Sequence, residues 1–168
     1  MKGKGRLRVQ ERNGQDAHDA YWNKAQPRDH AHCRQCRAIY HNKHWFFDEG
    51  KLKELAKAKK TEAVLCPACE KVRDHFASGY VKLSGHFLTA HREEILNLIR
   101  NEEKKAMGLN PLERIIEIEG NGHGLVVSTT HERLAQRLGK SLKRAFSGEV
   151  EYRWSRGEKM ARVSWNRD

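Results

Sequence analysis

No stretch of this chain approaches the roughly 18 to 20 consecutive apolar residues that span a bilayer. The sequence therefore predicts no transmembrane helix and no integral-membrane role. Nor does an apolar run follow the opening Met1-Lys2-Gly3-Lys4-Gly5-Arg6, so no signal peptide is expected and the setting is read as cytoplasmic. Catalytic signatures are missing too. No histidine sits in a His-Glu-x-x-His helix, no Gly-x-Ser-x-Gly elbow occurs, and no phosphate-cradling glycine loop precedes a Lys-Ser or Lys-Thr pair. Gly120-Asn121-Gly122-His123-Gly124 superficially matches a dinucleotide loop, but it leads into a strand rather than a helix and is rejected. An enzyme with a small-molecule substrate is not expected.

Acids are also in short supply. There are 22 Asp and Glu against 33 Lys and Arg, for a net charge of +11, and the charged fraction of 33% exceeds the roughly 25% of ordinary globular domains. A polyanion is the natural partner. Nucleic acid is favoured over a membrane surface, for which a basic amphipathic helix is the minor alternative.

Cysteine is scarce and concentrated. The only four lie in two pairs, Cys33-Arg34-Gln35-Cys36 and Cys66-Pro67-Ala68-Cys69. A Cys-x-x-Cys turn puts two sulfurs on one edge of a tetrahedron, and two such turns complete a zinc shell with bonds of about 2.3 Å. Disulfides would need an oxidising compartment. A redox pair would sit after a strand in a βαβ unit, without a second pair. The expectation is a structural Zn(2+) held by Cys33, Cys36, Cys66 and Cys69. His30, His32, His41, His44 or His75 could each replace one sulfur.

Along the chain, residues 1 to 31 read as a flexible basic arm carrying Arg6, Arg8 and Arg12, with Tyr21 and Trp22 able either to stack on bases or to anchor it. Residues 32 to 89 read as the metal module. Within it, Trp45-Phe46-Phe47 is expected as a buried strand, Asp48 to Lys60 as a helix, Lys71 to Phe76 as a polar segment, and Gly79 to Leu83 as a strand covering the site. Residues 90 to 110 predict a connecting helix from Glu93 to Met107, stopped by Gly108 and barred from continuing by Asn110-Pro111, with Glu102-Glu103-Lys104-Lys105 on a solvated face. Residues 111 to 168 predict a ββαββ domain, with strands at 114–119 and 125–128 around a turn. Its helix opens on a Thr129/Glu132 capping box with Leu134, Leu138, Leu142 and Ala145 buried, and closes at Phe146-Ser147-Gly148. The final strands alternate Val150, Tyr152, Trp154 and Ala161, Val163, Trp165. The fold class is thus α+β, a zinc-ribbon or treble-clef-like module followed by a small four-stranded antiparallel sheet carrying one helix.

On that helix Arg133, Arg137, Lys140 and Arg144 recur at i, i+4, i+7 and i+11, with Lys143 beside them. Cations spaced about 5 to 6 Å apart match a phosphate backbone. Any surface helix carries charges, but mixed signs would then be expected, and Glu132 is the only acid between Thr129 and Ser147. Arg34 and Arg37 in the first knuckle, and Arg153 and Arg162 on the last strands, are candidates to extend the surface. The strand order and the lack of paired aromatics differ from an RNA recognition motif, so phosphate and shape recognition is expected over base reading.

The run Cys33-Arg34-Gln35-Cys36-Arg37-Ala38-Ile39-Tyr40, followed by Trp45 and a Lys/Leu helix, resembles the zinc-binding region of the nonsense-mediated-decay protein three family, the large-ribosomal-subunit export adaptors and their archaeal relatives. The stretch Leu125 to Glu151 resembles the following domain of that family. The chain departs from it in having two Cys pairs where members typically have more, and no room for their extra β-barrels. The resemblance implies binding to ribosomal RNA on the large subunit. For a short stand-alone form the expectation is a cytoplasmic ribosome-associated factor in assembly, quality control or ribosome hibernation, with ribosomal proteins as further partners. The alternatives are a zinc-containing DNA-binding transcription regulator and a protein-interaction adaptor.

Overall fold

A computed structural model of the chain describes residues 20–21, 26–121, 123–155 and 159–168, without the side chain at 121. The expected arm residues Arg6, Arg8, Arg12 and Trp22 lie outside this set. The described residues form a mixed α+β structure with five helices and two sheets.

The first sheet is small. Strands β1 (His32–Cys33), β2 (Ile39–His41), β3 (His44–Phe46) and β4 (Ala63–Val64) lie in the order β3-β2-β1-β4. Residues 26–31, placed by sequence in the arm, join this unit: Ala31 is fully buried, and the His30 amide donates to Tyr40 O at 2.7 Å. In β3 only Trp45 is buried, while Phe47 lies beyond the strand, 42% exposed. Helix α1 (Glu49–Lys57) begins where Asp48 Oδ1 accepts from the Lys51 amide at 2.9 Å, and it ends short of the expected Lys60, with Lys59 at φ 51°. The polar segment from Lys71 to Phe76, to which the sequence assigns no element, is largely helical. Helix α2 (Pro67–Asp74) runs through it, capped by the Cys66 side chain, with Pro67 in the first turn where its missing N–H costs nothing, and stopped by His75 in a left-handed conformation.

The second sheet has five strands. Strand β5 (Gly79–Ser84) does not cover the metal module. It is the central strand of a sheet ordered β6-β7-β5-β9-β8, made with β6 (Ile115–Asn121), β7 (Gly124–Thr129), β8 (Glu149–Ser155) and β9 (Met160–Asn166). The expected ββαββ order is therefore interrupted by an inserted strand, and the sheet is mixed, because β5 runs antiparallel to β7 but parallel to β9, with Val81 opposite both Val127 and Val163.

Helix α5 (Glu132–Phe146) lies on this sheet. Leu134, Leu138 and Leu142 are fully buried against Val81, Leu83, Val127 and Trp165, as their spacing predicts, whereas Ala145 is exposed. The capping box does not form. Thr129 ends β7 with its hydroxyl donating to His131 O at 2.9 Å, and His131 is the cap. The expected stop does form: Ser147 and Gly148 both take positive φ, and Ser147 O accepts from the Trp165 indole at 2.8 Å. Short α3 (His86–Ala90) precedes α4 (Arg92–Leu109), whose Ile95 and Ile99 complete the core. Gly108 lies inside α4 rather than stopping it, and Asn110 before Pro111 ends the helix.

Candidate metal centre and basic groove

The four cysteines converge. Their sulfurs all lie within 4.8 Å of one another, and the Cys36 and Cys66 sulfurs are 3.7 Å apart. Bonds of about 2.3 Å to a tetrahedral ion set sulfurs about 3.8 Å apart, so the cluster fits a four-thiolate metal site. Local folding explains the placement. In the first knuckle the Cys33 amide donates to Ala38 O at 2.7 Å, and the turn closes with Arg37 at φ 67°. The second knuckle is the start of α2, where the Cys69 amide donates to Cys66 Sγ at 3.4 Å, while the Cys66 amide donates to Cys33 Sγ at 3.3 Å. Sulfurs at this spacing share protons. Cys33, hydrogen-bonded by Cys36, is held below the ordinary thiol range, while Cys66 and Cys69, each bonded to Cys33, are held above it. A divalent ion displaces those protons and binds the thiolates.

The five candidate histidines stand apart from the sulfur cluster. His30 stacks on His41 at 4.5 Å, and His41 Nδ1 lies 2.9 Å from Asp29 Oδ2. His32 Nδ1 is 2.7 Å from Thr61 Oγ1, His44 is exposed, and His75 Nδ1 lies 3.6 Å from Glu117. Tyr21 takes the anchoring role, its hydroxyl donating to Asp74 at 2.9 Å and its ring 5.0 Å from Phe76.

Sequence reading passed over the residues that tie this centre to the large sheet. Arg114 Nη1 donates to Cys69 Sγ at 3.6 Å, and its amide donates to Thr130 Oγ1 at 2.9 Å. Leu112 packs into the cluster that contains Cys33, Cys66 and Cys69. Lys71, 5% exposed on α2, donates to Ser78 Oγ and to Thr130 O, both at 3.0 Å. Arg114 stands just before β6 and 45 residues beyond Cys69, and a cation so far along the chain carries no sequence signal of contact with the cysteine cluster.

The basic residues of α5 converge on a groove. Arg133, Arg137, Lys140 and Arg144 line one wall of a cavity of about 610 Å³ between α4 and α5. Lys143 is exposed on α5 but does not line it. The groove also contains Glu102 and Glu113, 3% and 7% exposed. Glu102 is therefore not on a solvated face: it accepts from Lys105 Nζ at 2.8 Å, and its neighbour Glu103 accepts from the Ile115 amide at 2.7 Å. Burial pushes the Glu113 carboxyl up against the pull of Arg137 and Arg133.

The other candidate cations do not join the groove. Arg34 and Arg37 are exposed on the first knuckle. Arg153 and Arg162 are register partners on the sheet face opposite the buried Val163 and Trp165, hence opposite α5, and do not extend its stripe. Among the described residues no helix is long and apolar enough to cross a membrane. Comparisons of the chain with protein-family models, with curated proteins and with solved structures find no match.

Proposed function

We propose that the protein is a non-enzymatic, zinc-stabilised RNA-binding protein that acts in the cytoplasm on the ribosome, with ribosomal RNA of the large subunit as its partner. The observation that carries this reading is the alignment of Arg133, Arg137, Lys140 and Arg144 along one groove, in a chain of net charge +11. A row of cations on a rigid helix suits phosphates at fixed spacing, and the groove gives the backbone a shape to follow. Arg34 and Arg37, exposed on the knuckle, are further phosphate contacts. The metal is zinc, because four thiolates in a closed tetrahedral set suit it and leave no position for a reacting water. The choice of the large subunit rests on the resemblance of the knuckle and of residues 125 to 151 to the nonsense-mediated-decay protein three family.

Sedimentation of the purified protein with ribosomal particles tests the proposal. At low salt the protein co-sediments with the large subunit. With about four phosphates engaged, affinity falls about a hundredfold between about 50 and 200 mM salt. The variant R137E/K140E stays at the top of the gradient. Wild-type protein that also stays there at low salt overturns the ribosomal reading, and sequence-specific binding to duplex DNA identifies a transcription regulator instead. Metal analysis of the same sample returns one zinc per chain.

A further inference from the structure

Strand β8 ends the large sheet, so among the described residues one side of its seven-residue backbone, Glu149–Ser155, has no strand beside it. It contains no proline, and its pairing with β9 runs without a bulge. The opposite edge differs: β6 carries a register irregularity at Ile115/Glu117 and contacts α2. An open, regular edge is a template for another strand.

What this edge presents is self-complementary. On the α5 side it shows Val150, Tyr152 and Trp154, the last two 38% and 54% exposed, with Tyr152 against Gly139 of α5. On the other side it shows Glu149, Glu151 and Arg153, with Arg153 and Glu151 paired at 2.9 Å and 75% and 61% exposed. A two-fold axis through Tyr152 sets each residue opposite the one equally far on the other side in a second copy. Glu151 then meets Arg153 of the other copy twice over, Tyr152 meets Tyr152, and Val150 meets Trp154. Opposite charges and aromatic pairs directly across an antiparallel ladder are the favourable combinations. Centring on a residue works whether the backbone groups of Tyr152 point towards β9 or away, since both hydrogen-bonded and non-bonded pairs occur in such ladders.

We infer that the protein forms a two-fold symmetric dimer through edge-to-edge antiparallel pairing of β8. The axis stands perpendicular to the sheet, so both α5 helices lie on the same side of one continuous sheet. A strand from an unrelated protein would need the reverse charge order to fit, whereas a second copy supplies it by symmetry.

The test is sedimentation velocity on the nuclease-treated 168-residue chain across the micromolar range. Wild type runs at twice 19.5 kDa. Arg153→Glu puts like charges opposite each other and runs as a monomer. The double variant E151R/R153E restores opposite charges across the axis and dimerises again, a recovery that loss of folding cannot imitate. A monomeric wild type overturns the proposal, as does a dimer that R153E leaves intact or a double variant that stays monomeric.

Discussion

Arg114 stands where the metal centre meets the large sheet. Four thiolates around a divalent ion leave a net charge of about −2, and a guanidinium 3.6 Å from Cys69 Sγ offsets part of it. Groups behind the ligands typically alter metal affinity 10- to 100-fold when removed. Arg114→Ala should therefore release the proposed zinc to a competing chelator at about 10- to 100-fold lower chelator concentration, and an unchanged competition curve would exclude an electrostatic role. Glu113 offers a second test. Burial raises its folded-state pKa above the unfolded value, so the folded protein holds a proton there that the unfolded chain has released. The stabilisation this gives is complete below the unfolded pKa and is lost as pH rises through the folded one. Glu113→Gln keeps the shape without the charge. Urea unfolding should find its stability relative to wild type growing as pH rises above the ordinary glutamate value of about 4.3. A difference that stays flat with pH would show that the carboxylate is fully compensated by Arg133 and Arg137.

Helix α5 shows how much an element reveals in sequence. The leucine spacing and the basic stripe were legible because both depend on a period of 3.6 residues. The acidic wall opposite was not, since Glu102 and Glu113 come from another helix and a loop, and only packing brings them to the stripe. Strand β5 was legible as a strand but not as the centre of this sheet. Its parallel neighbour β9 lies at the far end of the chain, and local pattern does not specify a non-local partner. Helix α2 was legible in principle, through a capping residue followed by proline at the first turn, but its polar composition masked it. Two helical glycines make an opposed pair of predictions. At Gly139 a Cβ would lie 2.6 Å from Val163 Cγ1 and 3.1 Å from the Tyr152 hydroxyl, so Gly139→Ala should cost about 1 to 3 kcal/mol by overpacking. At Gly108 nothing lies within 4 Å, so Gly108→Ala should gain up to about 1 kcal/mol from helix propensity alone. Denaturant midpoints for both variants check the signs, and a shared sign would mean that packing around Gly139 relaxes freely.

At the scale of the molecule, two cores of different origin are joined. The large sheet buries a continuous apolar cluster from Val81, Leu125, Leu138, Ile99 and Trp165, enough to hold its strands by the hydrophobic effect. The small sheet has strands of two or three residues, too short to persist on backbone pairing, and its core is built around Cys33, Cys66 and Cys69 themselves. Its stability is therefore expected to depend on the binding free energy of the metal proposed for the cysteine cluster. The links between the cores, Leu112, Lys71 and Arg114, all reach from or towards the metal module, so they lose their partners when it opens. With the proposed zinc in the cysteine cluster, stripping it with a chelator should abolish amide-exchange protection from residue 31 to residue 74. Strands β5, β7 and β9 should keep theirs, with intermediate loss at residues 112 to 114. Because the groove of Arg133, Arg137, Lys140 and Arg144 is built by α4 and α5 on the large sheet, it should survive in the stripped protein, and the RNA binding proposed for it should stay salt-sensitive there while the contacts proposed for Arg34 and Arg37 are lost. Uniform loss of protection across both sheets would show instead that the metal holds the whole chain together and that the two cores fold as one.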